Sequence, residues 1–241
     1  VPGAAEDILR VLAAFGLESD GPILHQSSRT AAYRAAFEQL RAGGQTFECS
    51  CSRRQISAAN EAARYPGTCR GAALLAGATA TRFRVDAGRI ERFTDRIQGE
   101  CTFALAELSD FVIRRRDGAF AYQLAVVVDD AAQGVTDVVR GVDLLDSTPW
   151  QRCLQRALGL PTPRYAHLPV AMEADGSKLS KSRHAALVAA EGAPMVLIET
   201  LRMLRQAPPP ELAGEQLDAI WSWAIAHFDP ERCFALREIR V

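Results

Sequence analysis

An α/β fold with an inserted subdomain is what this chain of 241 residues predicts. Three observations carry that expectation. Segments with helical spacing flank a middle region of short β-like runs. One continuous apolar run reads as a strand buried on both faces, as in parallel sheets. A cysteine-bearing segment interrupts the order of these elements.

The elements follow in chain order. Residues 4–15 set Ile8, Leu9, Leu12 and Phe15 on one helical face, and Gly16 is the stop. A second helix over residues 30–41 turns Tyr33, Phe37 and Leu40 inward and ends at Gly43-Gly44. After the cysteines of residues 49–69 come three β-like runs, 81–85, 90–94 and 111–115. Asp117-Gly118 is a turn pair, so residues 111–115 and 122–128 are predicted to form a hairpin. In its second arm, Leu124-Ala125-Val126-Val127-Val128 is the doubly buried strand, ending at Asp129-Asp130. Thr148 is a capping residue, Pro149 suits the first helical position and Gln151 completes a capping box. That helix runs to Leu158 and stops at Gly159. Residues 165–170 lead into a polar loop. Helices near 194–204 and 215–227 close the chain, with Trp221 and Trp223 joining Leu217 and Ile220 in a core.

Composition narrows the class. Hydrophobic residues make up 48% and charged residues 24%, an ordinary globular balance. No run approaches the roughly 18 apolar residues of a membrane span, and Val1-Pro2-Gly3 opens without a basic-then-apolar signal pattern. Six unevenly spaced cysteines do not suggest a secreted disulfide scaffold, so a reducing, cytoplasmic setting without membrane contact is expected. With a formal net charge of −1, any RNA contact must come from local basic patches. Arg53-Arg54 and Arg114-Arg115-Arg116 can contact phosphates, and each also reads as ordinary surface arginine.

Three constellations carry chemistry. Lys178-Leu179-Ser180-Lys181-Ser182 follows Asp175-Gly176, and two lysines three apart in such a loop can close over a polyphosphate. The same pattern also describes a solvated surface loop. Cys49-x-Cys51, followed by Tyr65-x-x-x-Cys69, brings three thiols toward one tetrahedral metal, with Tyr65 nearest for the fourth position. Three unrelated reduced cysteines would read likewise. Tyr122 opens the apolar run and Arg140 ends the next one, in Val138-Val139-Arg140-Gly141-Val142-Asp143. An arginine at the carboxyl end of a strand can grip a carboxylate with two parallel hydrogen bonds. A core aromatic and a surface ion pair are the plain alternatives.

Together these segments resemble the catalytic half of glutamyl-tRNA synthetases, a class I aminoacyl-tRNA synthetase family. Residues 178–182 are similar to its second signature loop, and residues 122–130, Gly134-Val135-Thr136 and 139–143 to its glutamate-specific members. The spacing of Cys49, Cys51, Tyr65 and Cys69, the opening residues 1–6 and the short stretch after Ser182 resemble truncated paralogues that glutamylate queuosine in tRNA(Asp). The resemblance implies a Rossmann-type catalytic domain with a zinc-binding insertion and a short helical C-terminal part. It divides the chain into 1–45 as the remainder of an N-terminal Rossmann half and 46–110 as the insertion, then 111–185 as the second half with the signature loop and 186–241 as the helical region. It also implies ATP-dependent, tRNA-independent activation of L-glutamate to glutamyl-adenylate, then transfer to the wobble-position queuosine of tRNA(Asp), by a monomer. Lys178 and Lys181 are then catalytic, with Lys181 on ATP and its Mg2+. Tyr122 and Arg140 hold glutamate, and Cys49, Cys51, Tyr65 and Cys69 hold one structural Zn2+. The family's first signature, with an arginine, a serine and a glutamate that help hold the amino acid, is expected upstream of Val1. A fragment of a true glutamyl-tRNA synthetase charging the tRNA 3′ end and a noncatalytic RNA-binding paralogue are the competing readings.

Overall fold

The computed structural model describes residues 3–59, 64–71, 79–179 and 192–240. Helix α1 (Ala4–Ala14) is followed by α2 (Thr30–Ala42), which leads into strand β1 (Thr46–Cys49) and helix α3 (Arg53–Ala59). Strand β2 (Ala80–Phe83) lies between β1 and β5 (Phe111–Arg114) in an antiparallel sheet. A second sheet has the order β4 (Gly99–Ala104), β3 (Ile90–Asp95), β7 (Arg164–Leu168), β6 (Asp137–Gly141). Its β3–β4 pair is an antiparallel hairpin, and β3–β7 and β6–β7 run parallel. A short parallel pair, β8 (Val170–Met172) with β9 (Glu238–Arg240), ties the far end of the chain to the middle.

Helix α2 behaves as its spacing predicts, burying Tyr33, Phe37 and Leu40. It packs with α5 (Tyr122–Ala132) and α6 (Thr148–Leu158) over the first sheet. The shared core contains Leu40, Ile113, Leu124 and Leu154, each fully buried. Truncating any of these leucines to alanine should cost about 2–5 kcal/mol through lost transfer energy and the cavity left behind. Glu91 of β3 bolts α6 to the second sheet. Its buried carboxylate meets Arg152 Nε at 2.7 Å and Arg156 Nη2 at 2.6 Å. Burial works to raise the pKa of Glu91, and the two arginines outweigh it and hold the carboxyl below the usual range. Helices α7 (Ala193–Met203) and α8 (Leu217–His227) form a separate cluster around Leu197, Ile198, Leu201 and Ile220, with Trp221 and Trp223 packed against it.

Two expectations are corrected. The Asp117-Gly118 turn forms, with Gly118 at φ 86° and Arg115 N–H donating to the Ala119 carbonyl at 2.8 Å. The predicted return strand over residues 122–128 does not form, because β5 pairs with β2 and the chain passes from one bridge, Arg114 to Phe120, into helix α5. Leu124 to Val128 is therefore helical. An apolar run of that length is compatible with either a buried strand or a buried helix, and what decides here is the pattern beyond it. Asp129, one turn on from Ala125, is also buried and accepts from Tyr33 and Arg29. The second correction concerns Thr148, whose hydroxyl does not cap α6. Ser147 occupies the N-cap but its side chain makes no capping bond, and Gln151 bonds to Gln123 instead of closing a capping box. The helix itself and its stop at Gly159, in the left-handed region at φ 67°, are as expected. Helix α1 forms over the expected stretch, and none of its described residues is buried, Ile8 being 59% exposed.

Candidate active site

The carboxylate-binding candidates sit on either side of the start of α6. Tyr122 is the first residue of α5, with 47% of its surface exposed. It lines an open cleft of about 620 Å³ together with Cys51, Arg82, Arg115, Arg116 and Phe120. Arg140 is the fourth residue of β6. A belt of side chains joins the two places. Gln123, beside Tyr122, donates from Nε2 to Ser147 Oγ at 3.0 Å and accepts from Gln151 Nε2 at 2.9 Å. The next residue, Thr148, accepts from Arg140 Nη2 at 2.8 Å.

Arg140 is held tightly. Its Nε donates to His167 Nε2 at 3.0 Å, and Nη2 also reaches the Leu144 carbonyl at 3.3 Å. Its guanidinium carbon lies 5.5 Å from the centre of the Tyr165 ring. Among the described residues no hydrogen bond engages Nη1. A side-on fork through Nε is thereby closed, so a carboxylate must approach the Nη1 end. Asp130 supplies nearby acidity. Burial pushes its carboxyl up, Arg140 opposes that, and neighbouring Asp129 adds to it.

Lys178 stands at the start of the signature loop, in a bridge with Met172. Its Nζ pairs with Asp143 Oδ2 at 2.7 Å, with both side chains partly exposed. A Cβ at Gly141 would lie 2.5 Å from Asp143 Oδ1, so any side chain there would push the Asp143 carboxylate aside. Lys181 lies outside the described residues.

Cys49, Cys51 and Cys69 converge, with their three sulfurs all within 4.8 Å of one another. Cys51 and Cys69 sulfurs are 3.5 Å apart. Metal–thiolate bonds of about 2.3 Å in a tetrahedron separate sulfurs by roughly 3.8 Å, so the cluster suits a metal ion. Tyr65 completes the ring. Its hydroxyl oxygen accepts the Cys69 N–H at 2.6 Å, and Arg82 covers its ring at 4.0 Å. Cys51, Tyr65 and Cys69 titrate unequally. Burial pushes the Cys51 thiol up to about 11 and raises the Tyr65 hydroxyl as well. Burial opposes ionisation at Cys69 too, yet hydrogen bonds from Tyr65 and the Ser50 N–H bring its thiol down to about 6. A bound cation would favour the thiolate form of its cysteine ligands, Cys51 included.

The family described as tRNA synthetases class I (E and Q), catalytic domain, matches residues 1–207. A glutamyl-Q tRNA(Asp) synthetase of Aromatoleum aromaticum is 54% identical over 234 residues, spanning 95% of this chain and 74% of that protein. The chain belongs to this family of class I synthetases. The glutamyl-Q tRNA(Asp) synthetase of Pseudomonas aeruginosa is 48% identical and covers all of the synthetase chain and 83% of its own. That of Dechloromonas aromatica is 51% identical over 237 residues. Among solved structures, a glutamate tRNA ligase of Elizabethkingia meningosepticum superposes with a TM-score of 0.76 at 24% identity, covering all of this chain and 57% of the ligase. That likeness establishes the shared mixed α/β fold of the catalytic domain.

Reading the synthetase sequence alone missed the residues behind Arg140: Asp95, His167 and Thr148 as a ligand of the guanidinium. One local sign was available. His167 is a polar residue inside the apolar run of residues 165–170, and a buried polar group needs partners.

Proposed function

We propose that this synthetase activates L-glutamate with ATP in the absence of tRNA and then transfers it to queuosine at the wobble position of tRNA(Asp), acting as a cytoplasmic monomer. In the first step a glutamate carboxylate oxygen attacks the α-phosphorus of ATP and pyrophosphate leaves. In the second, a queuosine hydroxyl attacks the carbonyl of glutamyl-adenylate, forming an ester and releasing AMP. Arg140, through its Nη1 end, and Tyr122 hold glutamate. Lys178 and Lys181 neutralise the phosphates as charge develops, with Mg2+ carried by ATP. Catalysis is then mostly positioning and charge compensation. The observation that carries this reading is the 54% identity to a glutamyl-Q tRNA(Asp) synthetase across 95% of the chain.

Glutamate-dependent ATP–pyrophosphate exchange by the full-length protein tests it. Exchange without tRNA is expected. Exchange only when tRNA is added would move the assignment to an enzyme that charges the tRNA 3′ end.

The thiol cluster takes one structural Zn2+, with Cys49, Cys51 and Cys69 as thiolate ligands and Tyr65 as the fourth. Bound there, zinc would tie β1, the segment after it and Cys69 into one unit. Purified protein should contain about one zinc per chain. Tyr65→Phe should still bind the metal, but more weakly in a chelator competition, and an unchanged affinity would remove Tyr65 from the ligand set.

A further inference from the structure

The arginine that holds glutamate in the reading above is itself aimed by a buried pair, and this inference rests on that reading. Asp95, Arg140 and His167 lie on β3, β6 and β7, adjacent strands of one sheet, and Arg140 is directly opposite His167 in the register. His167 and Asp95 are 0% and 1% exposed.

The bond between Arg140 Nε and His167 Nε2 fixes the chemistry of the imidazole. An arginine donates and never accepts. His167 Nε2 must therefore carry a lone pair, and its proton must sit on Nδ1. There it faces Asp95 Oδ2 at 2.6 Å. The other oxygen of Asp95 is fully engaged, taking the N–H groups of Ile97, Gln98 and His167 at 3.0, 2.9 and 3.0 Å. Thr148 Oγ1, 3.2 Å from Nε2, adds a second donor to the same lone pair while accepting from Arg140 Nη2. Tyr165 stacks on His167 with ring centres 6.0 Å apart, closing the remaining side.

We infer that His167 is a positioning residue that aims Arg140 at the substrate carboxylate, and that Asp95 selects the tautomer that lets it do so. With the proton on Nε2 instead, a donor would face a donor beside a fixed positive charge. The guanidinium would have to rotate, and the free Nη1 end would leave the place where the carboxylate binds. The ATP loop, which meets this region through Asp143 and Lys178, would be untouched.

Asp95→Asn separates these ideas, because the three backbone donors pin the amide oxygen where Oδ1 was. The amide nitrogen must then face Nδ1 and drives the imidazole proton to Nε2. His167→Gln supplies a carbonyl acceptor that has no tautomer. KM for glutamate and for ATP would be measured by glutamate-dependent ATP–pyrophosphate exchange on the full-length protein, with thermal melts alongside. Asp95→Asn should raise the glutamate KM roughly ten- to hundredfold, the scale of one hydrogen bond to a charged group, and leave the ATP KM unchanged. His167→Gln should stay closer to the parent. In the double variant the added effect of Asp95→Asn should vanish. A folded Asp95→Asn with unchanged glutamate KM, or an additive double variant, overturns the inference. If Asp95→Asn does not fold, nitrogen NMR of the parent imidazole decides. Protonated Nδ1 supports the inference and protonated Nε2 overturns it. A parent protein that exchanges no glutamate at all instead defeats the functional reading, and this one with it.

Discussion

Two cations that the proposed reaction assigns to the substrates, Arg140 and Lys178, are treated by the fold in opposite ways. Arg140 is clamped by three acceptors from three different segments, two of them buried side chains. Among the described residues Lys178 is held by one ion pair, to Asp143, with 31% and 40% of the two side chains exposed. The difference matches their tasks. A carboxylate that must be bound in one orientation calls for a donor whose freedom was removed during folding. A polyphosphate that changes shape and charge as it reacts calls for a cation able to follow it, and a lysine on one exposed contact can do so.

The sharpest way to break this contrast is Arg140→Ala. It removes the carboxylate partner and strands the lone pair of His167, and glutamate-dependent exchange should fall by about 100-fold or more in kcat/KM, the scale for losing one side of a desolvated charge pair. Thr148→Val keeps the shape but deletes the acceptor of Nη2. Its expected cost is about 1–3 kcal/mol, read as a raised glutamate KM with an unchanged ATP KM. The Asp95 carboxyl gives a smaller signal, through acid. Burial works to raise it, and the hydrogen bonds from His167 and the backbone outweigh that and hold it below the usual range. Its contribution is therefore complete above an unfolded value of about 3.9 and is lost as pH falls through the folded one. Melting temperature followed against pH should drop more steeply on the acid side in the parent than in Asp95→Asn. Smallest is Asp143→Asn, which loosens Lys178. An exposed pair is worth about 0.2–1 kcal/mol, so the ATP KM should move no more than a few-fold. A large effect there would mean that Lys178 is as tightly aimed as Arg140.

What the sequence revealed follows the range of the forces involved. The inward face of α2 is a matter of local period, and Tyr33, Phe37 and Leu40 are buried as read. The cysteine spacing is local as well, and the three sulfurs do meet. Leu124 to Val128 misled because β-branched residues favour strands, while the deciding contacts, Asp129 with Tyr33 and Arg29, come from a helix about a hundred residues earlier. Thr148 misled in the opposite sense. Its local pattern fits a cap, but Arg140 and His167 recruit the hydroxyl. Asp95 and His167 are 72 residues apart; the apolar run around His167 signals a need for a partner, but nothing near it names Asp95.

That separation has a kinetic consequence. The clamp on Arg140 draws on residues 95, 140, 148 and 167, and it closes only when β7 slides between β3 and β6. Contacts so distant along the chain form late, after the helices and hairpins that need only local closure. During synthesis and refolding the arginine should therefore remain unaimed until strand β7 has docked. Recovery of glutamate binding should lag behind recovery of helical signal.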